Sequence, residues 1–129
     1  MHELLKHTLI ELTEALCTRA QIRDWCAEVF ERYDLLVTPT IPYDPVPAKG
    51  PFPEETEGRK QEYGSSTLFT MPFNMSWHPA DTVRAGLSNA GLPVGMQIVA
   101  PLHRDDLALQ LSRAFERERP WHPDWPTHW

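Results

Sequence analysis

Three sets of side chains in this sequence could carry chemistry. The run Tyr63-Gly64-Ser65-Ser66-Thr67 offers hydroxyls. A serine becomes a nucleophile only with a base to take its proton and donors to hold the oxyanion. The lysines are Lys6, Lys49 and Lys60, and no motif ties any of them to these serines. Ser65 and Ser66 therefore read as turn or helix-capping residues. Histidines and aspartates are present, but there is no Gly-x-Ser-x-Gly elbow, so a Ser–His–Asp set has little support. Cys17 and Cys26 lie nine positions apart, about 900° around a helix, which puts them on opposite faces and forbids a mutual disulfide. With no histidine partner implied, core packing suits both. The tail holds the ligand types His122, Asp124 and His128. Structural zinc wants four fixed ligands, so the expectation is aromatic packing of the tail, with no metal and no cofactor.

The elements that must hold these groups are legible in the spacing. From His2 to Tyr33 there is neither Pro nor Gly, and Leu5, Leu9, Leu12 and Leu16 recur at helical intervals. Ile22, Trp25, Cys26, Val29, Phe30 and Tyr33 continue the pattern in a shifted phase, which predicts one long helix or two with a bend near Thr18 to Gln21. Asp34 to Thr40 reads as a strand, and its unbroken apolar run points to a buried parallel one. Residues 41–61 form a Pro/Glu-rich loop, expected to be a solvated connection. A short helix within Tyr63 to Asn74 is expected to end near Pro72. Thr82–Leu87 and Val94–Val99 read as strands of a hairpin around Ser88-Asn89-Ala90-Gly91, with Met96 and Ile98 on one face. A last helix has Asp105 and Asp106 as its cap, an apolar stripe of Leu107, Ala108, Leu111, Ala114 and Phe115, and Arg117 and Arg119 in its last turn before Pro120.

This order predicts an α/β fold with three to four short strands and two to four helices. The sheet looks like part of a larger one, because so few strands leave edges that need cover. The chain reads as a single partial domain over 1–129, with a Trp/Pro-rich tail at 120–129. A net charge of −6 argues against nucleic acid and anionic membrane, both of which select basic surfaces. No signal peptide or membrane-length apolar run is visible, so a cytoplasmic, reduced setting is expected.

Three segments carry a family resemblance: Tyr33 to Thr40 (YDLLVTPT), Leu68 to Asn74 (LFTMPFN) and Gly91 to Pro101 (GLPVGMQIVAP). In this order and spacing the chain resembles the C-terminal segment of an amidase-signature-family protein, a group that includes the amidotransferase A subunits. The resemblance implies a large mixed sheet flanked by helices, and an amide-cleaving Ser–cis-Ser–Lys triad that belongs to the N-terminal portion and has no counterpart here. It makes Phe69, Met71, Phe73 and Asn74 candidate substrate-pocket residues, with Leu68 beside them. For the Leu68–Phe73 group, core packing is an equal alternative. Gln97 is expected to bond to backbone. The implied partner is the missing N-terminal portion, or a second copy of the chain. The sequence departs from the family in the turn Trp77-His78-Pro79-Ala80, where His78 is taken to stand for a glycine and Ala85 for a proline. Asp81 and Arg84 put charge into a normally apolar strand, as in a drifted or inactive relative.

Overall fold

The computed structural model describes residues 8–61 and 65–121. Helix α1 spans Leu9–Phe30 as one element with no break near Thr18. Its start is fixed by a capping box: Thr8 Oγ1 accepts from the Glu11 N–H at 3.2 Å, and Glu11 Oε2 accepts from the Thr8 N–H at 2.6 Å. Cys26 is buried as expected, but Cys17 on the opposite side is exposed, which corrects the core packing expected of both. Residues 2–7 of the expected helix lie outside the described part.

Strand β1 (Leu36–Pro39) forms one edge of a three-stranded sheet in the order β1-β5-β4, with β4 at Ala80–Leu87 and β5 at Pro93–Val99. Both pairings are antiparallel. The parallel, doubly covered β1 expected from Leu35-Leu36-Val37 is thus corrected. Burial along β1 alternates, with Val37 48% exposed on the face that α3 covers only over β4 and β5. The β4–β5 hairpin is as expected, and Ser88 closes it by donating its N–H to the Leu92 carbonyl at 2.7 Å. The long loop contains a second, two-residue hairpin, β2 (Glu55–Thr56) and β3 (Arg59–Lys60). Glu57 and Gly58, both at positive φ, make the tight turn that matches strand twist.

A 3-10 turn at Ser65–Thr67 leads to helix α2, Met71–Ser76. Pro72 sits in the first turn of α2, so it begins this helix and does not end it. A proline there removes only an N–H that would lack a helical partner. Helix α3 spans Asp105–Glu118. Asp105 and Asp106 are its first residues, favoured by the macrodipole, while the cap itself is Arg104, which pairs with Asp106 at 2.9 Å. Ala114 is exposed, and the buried face is completed by Ser112.

Because neighbouring strand residues point to opposite faces, Ile98 and Val99 serve two cores. Ile98 joins Val83, Ala100 and Ala108 under α3, with Met96 on the same face. Val99 joins Cys26 and Phe73 under α1 and α2. Helices thus cover both faces of the sheet. The core is small: seven apolar residues are buried, while sixteen large apolar side chains are at least one-third exposed among the described residues. Both outer edges of the sheet, along β1 and β4, are unpaired among the described residues.

Candidate functional site

The matched segments converge around Gln97 on the central strand. Its side chain is 3% exposed, and its Nε2 donates to Thr38 Oγ1 at 2.9 Å and to the Phe69 carbonyl at 2.8 Å. One amide thus ties β5 to β1 and to the turn before α2, the backbone-bonding role expected of it. Beside it, Thr40 donates its N–H to the Gly95 carbonyl. A Cβ on Gly95 would lie 2.6 Å from Thr40 Oγ1, so any side chain here forces Thr40 to shift.

From this anchor α2 presents two faces. Phe73 is 4% exposed and packs with Cys26 and Val99, which makes it core and not an open wall. Met71, Asn74 and Met75 lie at helical spacing on the opposite side and are exposed, with Leu68 exposed just before them. Asn74 donates its backbone N–H to the Thr70 carbonyl at 3.1 Å. Phe69 is half-buried. Of the four predicted pocket residues, the structure therefore places Met71 and Asn74 on one accessible patch, Phe69 at its margin and Phe73 beneath it. Tyr63 and Gly64 of the hydroxyl run, and tail positions His122, Asp124 and His128, lie outside the described residues.

The turn after α2 sends Trp77 and His78 to different surroundings. Trp77, not His78, takes the left-handed conformation, with φ of 63° at the helix C-cap. This is the position that a glycine suits. Its indole is 65% exposed and lies under the Arg19 guanidinium, 4.0 Å from carbon to ring centroid. Arg19 is held there by its Nε–H, which donates to the Met75 carbonyl at 2.7 Å. Two shallow depressions, of ≈ 220 and ≈ 390 Å³, follow α1 on this side and share Arg23 and Asp24.

His78 instead turns inward. Its Nδ1 is 2.8 Å from Ser76 Oγ, and its ring stacks on Phe30 at 5.3 Å. Cys26 Sγ lies 3.8 Å from the same hydroxyl. All three of Cys26, Ser76 and His78 are at most 8% exposed. Burial, with the nearby Arg23 charge, holds the His78 pKa below its ordinary 6.5. Burial raises the Cys26 thiol, and the Ser76 contact opposes this. The trio is unsuited to nucleophilic catalysis because no reactant reaches Ser76, which is 0% exposed. Sequence reading missed this cluster, whose members only the α1–α2 crossing brings together.

The charged strand residues are also partnered. Asp81 accepts from the Ser112 hydroxyl on α3 and from the Thr82 N–H. The Arg84 guanidinium stands 6.0 Å from the Trp121 ring centroid. Among the described residues no group of three or more His, Cys, Asp or Glu could hold a metal, and no helix is long and apolar enough to cross a membrane.

Comparison with known proteins explains this layout. The Amidase family model matches residues 2–109. The chain is 38% identical over 122 residues to an acylamidase of Rhodococcus erythropolis, covering 94% of this chain and 26% of that protein. It is 38% identical to a 6-aminohexanoate-cyclic-dimer hydrolase of Paenarthrobacter ureafaciens, covering 69% of this chain and 20% of that one. The crystal structure of a bacterial aryl acylamidase of the amidase-signature family superposes with a TM-score of 0.85 at 30% identity, covering 95% of this chain and 26% of the other. The chain thus spans about a quarter of the length of the proteins it matches. It belongs to the amidase family and corresponds to a C-terminal segment of the amidase-signature fold.

Proposed function

We propose that this chain is the part of a carbon–nitrogen amide hydrolase that completes the sheet and supplies a piece of the substrate-pocket wall, and that it does not cleave amides alone. The observation that carries this reading is the superposition of nearly the whole chain on about a quarter of an aryl acylamidase, together with the two open sheet edges. Met71, Asn74 and the margin of Phe69 form the wall, with Phe73 fixing them from beneath. Gln97 holds the turn that carries them at its correct height over the sheet. Ser76, the serine that lies against a histidine, is sealed in the interior with His78 and out of a substrate's reach. The partner is the missing amidase portion, and the compartment is the cytoplasm, where Cys17 and Cys26 stay as free thiols. The test is to incubate the purified chain with an aryl acylamide such as 4-nitroacetanilide. No nitroaniline release is expected. Release that disappears when Ser66 or Ser76 is replaced by alanine overturns the reading.

A further inference from the structure

Resting on that reading, we infer that one side of α1, built on Leu9, Leu12 and Leu16, is the docking surface that receives the remainder of the amidase fold. These leucines recur at i, i+3 and i+7, so they form one stripe, while Glu11, Glu14 and Thr18 occupy the opposite side. Residues 8–18 of α1 are all exposed, and Leu9, Leu12 and Leu16 stand at 78%, 54% and 54%. Nothing else among the described residues covers these turns. These turns are nonetheless helical, and a capping box fixes their start. That side of the helix continues past Leu16 to the small residues Ala20 and Ala27, in the groove beside Trp77 that Arg23 and Asp24 also line. Small residues there let a second element approach closely, and the Arg19–Trp77 stack forms its rim.

The occupant follows from coverage. The aryl acylamidase shares this segment at a TM-score of 0.85 and carries about three-quarters of its chain outside it. A face that is bare here therefore meets that remainder in the whole fold. An apolar stripe opposite two glutamates also fits one covered side and one side in water.

The experiment uses a chimera: the Rhodococcus erythropolis acylamidase with its matching segment replaced by this chain. In it, and separately in the 129-residue chain, Leu12 and Leu16 are both replaced by Glu. Expected are a thermal midpoint of the isolated chain unchanged by L12E/L16E, and a loss of soluble, active chimera of at least about tenfold, because two charges then face an apolar contact. Hydrogen exchange at residues 9–18 is expected to be fast in the isolated chain and slowed at least about tenfold in the chimera. An L12E/L16E chimera as active as the unsubstituted one overturns the docking surface while leaving the amidase reading intact. An unsubstituted chimera that is folded but inactive overturns the amidase reading itself. A concentration-dependent dimer of the isolated chain that L12E/L16E dissolves overturns the choice of occupant, and assigns the stripe to a second copy.

Discussion

Trp77 is the sharpest place to test the local physics. A side chain in the left-handed region suffers a clash of its Cβ with the backbone, costing about 1–2 kcal/mol, and Trp77 sits there at φ 63°. Trp77→Gly removes that strain but loses the Arg19 stack, worth about 0.5–1 kcal/mol at an exposed site, and gives the unfolded chain about 0.4–1 kcal/mol of extra freedom. The net change is therefore near zero. Trp77→Ala loses the same stack and keeps the strain. Glycine should thus be more stable than alanine at this position by about 1 kcal/mol, the reverse of their ordinary order. At His78, which is not at positive φ, the ordinary order should hold, with alanine above glycine. Urea unfolding followed by tryptophan fluorescence or far-UV circular dichroism reads the four variants on one scale. For a chain of this size 1 kcal/mol moves the thermal midpoint by roughly 3–5 °C. If Trp77→Ala proves as stable as Trp77→Gly, the left-handed cap is not where the stability lies.

Other substitutions follow from the same contacts. Gly95→Ala should lower stability by about 1–3 kcal/mol, since Thr40 must shift to admit the methyl group; a denaturation midpoint equal to the parent's would contradict the close approach. Gln97→Met keeps the volume but leaves the Phe69 carbonyl without its side-chain donor, and should cost about 1–3 kcal/mol in urea unfolding. His78 gives a pH dependence of defined sign. Its folded pKa lies below 6.5, so below that pH the unfolded chain binds the proton first, and this contribution to stability is lost as pH falls. Between pH 7.5 and 5.5 the parent should therefore lose more stability than His78→Leu does, with Arg23→Gln reducing the difference; parallel curves for parent and His78→Leu would refute it.

How far the sequence reaches can be judged element by element. Spacing located α1, the β4–β5 hairpin and α3, because in each the apolar period and the turn residues agree. It misjudged the direction of β1, since an apolar triplet does not say whether a helix lies over it, and here none covers Val37. It placed Pro72 at the wrong end of α2 because proline is a signal both for a helix start and for a stop. The candidate site divided in a similar way. Met71 and Phe73 are two residues apart in one motif, yet a six-residue helix sends one to solvent and the other to the core. The departures Asp81, Arg84 and His78 looked like drift when read singly. In three dimensions each has acquired a partner: Ser112, Trp121, and Ser76 with Phe30. Apart from His78 with Ser76, two positions apart, those pairings span dozens of positions in the chain, and no periodicity announces them. They argue for a chain kept folded, because unpartnered charge in a strand beside a small core would be strongly destabilising.

The most direct test of the central claim is the rate of anilide hydrolysis by the acylamidase chimera carrying this chain, measured beside the isolated chain. The account predicts turnover in the chimera, none in the chain, and loss of chimera activity when Gln97 or Phe73 is replaced by alanine. A soluble, folded chimera without turnover, or turnover by the chain alone, would contradict it.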